Sequence, residues 1–182
     1  MAFPGDYDKY QEVTIDATKV SADLTDYVLY IDLADLVKAG ADIFDTCRTD
    51  GGDIRITKAD GTTELAREVV EIDTTAKTGE VHVKFDGTLS SSTDTVIKVW
   101  YNGTDTEPAV TATYGRNNVW TAYESVWHFN EASGTRIDST GNNDLNDINT
   151  VGQTTGQIGK GAVFNGTNEE FDGNNILNIT GS

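Results

Sequence analysis

Short apolar runs that alternate with a period of two, separated by glycine, confine this chain to β-structure. In Tyr27-Val28-Leu29-Tyr30-Ile31-Asp32-Leu33, the residues Leu29, Ile31 and Leu33 share one face and Val28, Tyr30 and Asp32 the other. The pattern recurs at Val13-Thr14-Ile15, Ile54-Arg55-Ile56 and Val81-His82-Val83-Lys84-Phe85, which predicts β-branched and aromatic side chains inward and charges outward. Val96 to Tyr101 is more continuously apolar and reads as a central strand covered on both faces. Ala59-Asp60-Gly61-Thr62 marks a hairpin turn between Ile54-Arg55-Ile56 and the run from Leu65 to Ile72. One short helix is expected over 35–39, resuming over 41–47, with Leu36, Val37, Ile43 and Phe44 packed on a sheet edge. The fold class is therefore all-β: an antiparallel β-sandwich with one short helix.

Near residue 116 the composition turns rich in Asn and Gly. This shift divides the chain into a β-sandwich over 1–115, a linker over 116–122 and a second module over 123–182. The second module opens with an expected strand, Tyr123 to Asn130, and holds another at Gly161-Ala162-Val163-Phe164.

Thirty acidic side chains against thirteen basic ones give a net charge of −17. Such a surface repels a phosphate backbone or an anionic membrane, so nucleic-acid binding and membrane insertion are not expected. No apolar stretch approaches the ~20 residues of a membrane span. The N-terminus lacks a secretory pattern, which predicts either release by lysis or assembly, or a leader outside this sequence. With Cys47 as the single cysteine, stability must come from packing, and Cys47 itself reads as a small buried hydrophobe. His82 and His128 are the only imidazoles, too few for a zinc site built on histidine alone, which leaves open one shared with carboxylates.

Three groups of residues carry candidate chemistry. Asp138, Asn142 and Asp144 crowd side-chain oxygens onto one tight loop, which suits Ca2+ and equally suits a turn built by Asx side chains. Asp42, Asp45, Asp50 and Asp53 form a second acidic loop where a cation would relieve repulsion, unless simple solvation does. Trp120 and Tyr123, in the linker, could stack on sugar faces or staple the two modules together, while Trp100 and Trp127 read as core. Neither a G-x-S-x-G elbow nor a Ser/His/Asp ordering is present, and no strand carries the paired carboxylates of a glycosidase.

Residues 9–101 resemble a domain family of unknown function that precedes concanavalin A-like or laminin-G-like modules in secreted bacterial, archaeal and phage proteins. The resemblance is carried by Val13-Thr14-Ile15-Asp16, by 20–27, by Gly52-Asp53-Ile54-Arg55-Ile56-Thr57 and by 89–95. It departs at the start, where the family has an aromatic followed by an Arg-Lys pair and this chain has Tyr7-Asp8-Lys9-Tyr10-Gln11. Residues 123–166 resemble the opening of a laminin-G-like jelly roll, through Val126-Trp127-His128-Phe129-Asn130-Glu131, 138–142 and 158–166. Such modules are longer than the stretch left here. The second module is thus expected to be an incomplete jelly roll, finished either by further chain beyond Ser182 or by strands from another subunit.

Together these features predict a non-enzymatic structural component of an extracellular assembly, of phage virion type (tail or capsid decoration), forming homo-oligomers. The alternative is an adhesion module for host surface glycans, with Ca2+ ordering its loops. A polysaccharide-degrading enzyme is the least supported reading, because fold alone does not carry activity.

Overall fold

The computed structural model describes residues 5–38 and 40–173, and the chain divides into two compact units, Met1–Val119 and Trp120–Ser182. The first unit contains β1 (Lys9–Ile15), β2 (Leu24–Thr25), β3 (Val28–Asp32), β4 (Arg55–Lys58), β5 (Arg67–Asp73), β6 (Thr78–Lys84), β7 (Thr88–Leu89) and β8 (Thr95–Tyr101). They form antiparallel sheets in the orders β1-β8-β4, β3-β6-β5 and β2-β7. The fold is an all-β sandwich.

Period-two alternation builds the core. Ile31, Val81, Val83 and Phe85 from one sheet meet Ile56, Ile97, Val99 and Tyr101 from the other, with Leu33, Ile43, Ile54 and Leu65 filling the same cluster. Burying each such side chain stabilises the fold by on the order of 1.5–3 kcal/mol. β8 is the centre of its sheet, and Trp100 on its opposite face is also buried, its indole donating to Thr57 Oγ1 at 3.0 Å.

The expected helix is absent among the described residues. Two 3-10 turns, Leu33–Leu36 and Ile43–Asp45, stand in its place. Asp32 and Asp42 explain the difference, because each carboxylate accepts the N–H two residues on at 2.9 Å and so begins a tight turn. Gly40, at φ +78°, then turns the chain before a helix can propagate. Leu36, Ile43 and Phe44 still reach the core, but Val37 is exposed.

The hairpin turn at 59–62 forms as expected, with Asp60 accepting the N–H groups of Thr62 and Thr63, both at 2.8 Å. Its arms then part: β4 pairs with β8 and β5 with β6, so the turn links the two sheets.

Charges do not all point outward. Arg55 and Arg67 are buried, and their guanidinium groups bind the carbonyls of Gly52 and Ile54 from both sides. Arg55 also donates to Thr106 O at 2.7 Å, and Arg67 grips both carboxylate oxygens of Glu107 at 2.6 Å. Residues 102–115 form no strand, and these two cations fasten that segment to the sandwich. Gly52 lies directly against it, since a Cβ there would come within 2.7 Å of Glu107 N.

The second unit contains β9 (Asn146–Ile148), β10 (Gly152–Thr155), β11 (Lys160–Val163) and β12 (Glu170–Asp172). They make two antiparallel ribbons, β9 with β12 and β10 with β11. The strand expected over 161–164 is β11. The strand expected over 123–130 is reduced to one bridge, Trp127 to Asp138, and Phe129 takes φ +56°.

Candidate functional site

The loop that holds Asp138, Asn142 and Asp144 is the most densely hydrogen-bonded part of the second unit. Asp138 is fully buried, and its Oδ1 accepts the N–H groups of Val126 (2.8 Å) and Thr140 (3.0 Å). Its Oδ2 accepts the Thr140 hydroxyl and the Asn143 N–H (2.9 Å). Burial raises the Asp138 pKa, but these hydrogen bonds together outweigh it and hold the carboxyl below the ordinary 3.8. With both oxygens committed to four donors, Asp138 gathers the chain from 126, 140 and 143 rather than ligating a cation. The sequence had allowed either Ca2+ or an Asx-built turn; for Asp138 the geometry is that of the turn.

Asn142 and Asp144 do lie together, on the wall of a groove of about 330 Å³ lined also by Gly141, Asn143, Asn146 and Gly173. One Asp144 oxygen accepts the Asp138 N–H at 2.8 Å. The Asn143 carboxamide is turned away to Glu124 O (3.0 Å) and Ser125 Oγ (2.8 Å), while Asn142 and Asn146 are exposed. Among the described residues the groove presents carboxamides and one carboxylate. Groups that both donate and accept suit a neutral polyhydroxylated ligand. Asn146 and Gly173 were missed in the sequence; only the density of Asn and Gly around 141–146 hinted at them.

Beneath this loop sits a buried cation. Arg136 donates to Val151 O at 2.8 Å and Gly134 O at 2.5 Å, and it lies 5.1 Å from the centre of the Phe171 ring. Asp147 stands 3.9 Å from it and accepts the N–H groups of Val151 (2.7 Å) and Gly134 (3.0 Å), the first being the main reason its pKa is lowered. Phe171 stacks in turn on Phe129 at 5.7 Å and meets Phe164 edge-on at 5.3 Å.

Two cations offset part of the charge of the second acidic loop. Asp42 pairs with Lys77, which also reaches Asp45 at 3.1 Å. Asp50 pairs bidentately with Arg48 at 2.9 Å, the largest reason its carboxyl is held down at about 2. Asp53 is buried and accepts the N–H groups of Arg48 (2.8 Å) and Asn102 (3.0 Å). Lys77 and Arg48 thus supply part of the relief for which the sequence left open either a cation or solvation.

Trp120 and Tyr123 are neighbours, with ring centres 5.3 Å apart and planes at 84°. Trp120 is 5% exposed, so its face is closed to a sugar, while Tyr123 is 48% exposed. Trp127 donates its indole N–H to Asn143 O at 2.9 Å and serves the Asp138 loop. Cys47 is half-buried beside the core, and burial together with the Asp53 charge pushes its thiol up to about 11, far from a reactive thiolate.

Comparison with protein-family models, curated proteins and solved structures finds no match to this chain. No helix among the described residues is long and apolar enough to cross a membrane.

Proposed function

We propose that the protein is a non-enzymatic structural component of an extracellular assembly, of the virion-surface kind that decorates a tail or capsid, and that it assembles with other copies of itself. The contrast between its two units carries this reading. The first closes a full core between two sheets. The second, among its described residues, forms two-stranded ribbons, with Ile158, Val163 and Phe164 46–60% exposed. Ribbons of this size are marginal alone and gain stability when further strands join them. The resemblance of 123–166 to the opening of a jelly roll points the same way. The acids described above are also spent on turns and ion pairs rather than poised across a cleft.

Native mass spectrometry of the full chain over a concentration series tests this. Discrete multiples of 19.7 kDa are expected to appear as concentration rises. A chain that stays at 19.7 kDa throughout contradicts self-assembly.

The groove at Asn142, Asp144 and Asn146 favours a second reading, a glycan-binding adhesion module. A glycan array probed with the full chain separates the two: selective binding abolished by Asn146→Ala supports adhesion, and a blank array with and without Ca2+ removes it.

A further inference from the structure

We infer that β10 is the assembly edge, pairing antiparallel with β10 of a second copy of this chain about a two-fold axis. This rests on the self-assembly reading above and names the contact. Two observations carry it.

The first is how the strands are guarded. An edge strand with unpaired backbone groups invites another strand, and proteins usually blunt it with charge, proline or a bulge. The edges of the first unit follow this rule: β1 carries Lys9 and Glu12, β3 Asp32, β4 Lys58, and β5 Glu71 and Asp73 with a register shift between Val69 and Glu71. In the second unit β11 carries Lys160 and β12 Glu170 and Asp172, while Asp147 of β9 is turned inward to the N–H groups of Gly134 and Val151. Apart from the two-residue β2 and β7, which pair with each other, β10 (Gly-Gln-Thr-Thr) is the one described strand without a charged side chain. Among the described residues it has β11 on one side and no strand on the other, and Thr154 and Thr155 are exposed.

The second observation identifies the occupant. Two copies of a chain of charge −17 repel each other wherever carboxylates meet. Between Asp147 and Glu169 there is no acidic residue at all, the longest such stretch in the sequence, and Lys160 is its single charge. β10 sits inside that stretch, so it is where two copies approach at least electrostatic cost. An isologous pairing sets Gly152 opposite Thr155 of the second copy and Gln153 opposite its Thr154. The product is one four-stranded sheet, β11-β10-β10-β11; Gln153 Nε2 already donates to Phe129 O at 2.7 Å, which leaves its Oε1 to accept the Thr154 hydroxyl across the axis. Because the remaining surface is anionic, the pairing strengthens with added salt.

The test uses the full chain. Thr154→Lys gives β10 the charged guard that blunts an edge strand and is expected to abolish the dimer at concentrations where the native chain is dimeric, with an unchanged circular dichroism spectrum. Gly152→Cys with Thr155→Cys, positions that share a face across the axis, in a Cys47→Ala background is expected to yield a disulfide-linked dimer under mild oxidant, while Ser91→Cys, at an exposed loop of the first unit, does not. If the native chain never leaves the monomer, the self-assembly reading fails with this one. If it oligomerises but Thr154→Lys leaves the oligomer intact and the Gly152→Cys, Thr155→Cys variant does not cross-link, assembly stands and β10 is not its edge.

Discussion

Replacing Arg67 with alanine is expected to destabilise the first unit by about 3–5 kcal/mol, a large part of the ~5–15 kcal/mol that holds a typical domain together. Arg67 is fully buried in the structure and makes three kinds of bond at once: to Ile54 O, to Gly52 O and to both oxygens of Glu107. Desolvation lowers its pKa and the Glu107 charge raises it again, so the cation depends on that carboxylate. Alanine leaves a cavity beside Ile54 and releases the Glu107 segment. Glu107→Gln removes the counter-charge and leaves one acceptor oxygen, the other being replaced by a donor amide, and about 1–3 kcal/mol is expected. Arg48→Ala, whose ion pair with Asp50 is exposed, is expected to change stability by less than about 1 kcal/mol. Urea unfolding followed by Trp100 fluorescence, in a Trp120→Phe, Trp127→Phe background, measures all three. Equal losses for Arg67→Ala and Arg48→Ala would show that the buried clamp does not support the sandwich.

Asp138→Ala is expected to unfold the second unit while leaving the first intact. Four donors lose one acceptor together, three of them backbone N–H groups at 126, 140 and 143. Charge-assisted bonds of this kind stabilise by ~1.5–3 kcal/mol each, and a unit this small has little stability in reserve. The resonances of 120–173 in an amide correlation spectrum should collapse to the centre while those of 5–119 keep their dispersion. Acid acts on the same group. Because the folded pKa lies below the ordinary 3.8, the stabilisation is complete well above that value and is lost as pH falls through the folded pKa. Asp147 is lowered in the same direction. The second unit should therefore hold its dispersion in mild acid and lose it only below the ordinary aspartate range. Melting between pH 5 and pH 6, or survival of Asp138→Ala with a native spectrum, would remove the carboxylate from its central place.

The strands were legible because alternation has one geometric meaning: β1, β3 and β6 fall where apolar residues recur every second position, and β8 where the apolar run is nearly continuous. The buried arginines were not, because the same alternation assigns Arg55 to solvent, and nothing local announces that the carbonyls of Gly52 and Ile54 await it. The helix expected after Asp35 failed for a local reason: Asp32 and Asp42 are the chemistry of caps as much as of helices. At the Asp138 loop, composition revealed oxygen-bearing side chains in one place. Whether such oxygens face a cation or backbone N–H groups depends on how residues 126, 140 and 143 fold around them. The bareness of β10 was visible all along as a gap between Asp147 and Glu169, yet a missing charge acquires meaning only once the neighbouring strands are known to be guarded.

Amide hydrogen exchange of the full chain, in dilute solution and at a concentration where native mass spectrometry finds multiples of 19.7 kDa, tests self-assembly through the second unit most directly. Protection of the Thr154 and Thr155 amides is expected to rise with concentration, in step with the mass, while β8 remains equally protected in both. Unchanged exchange at β10 as the mass grows, or no growth in mass at all, would contradict it.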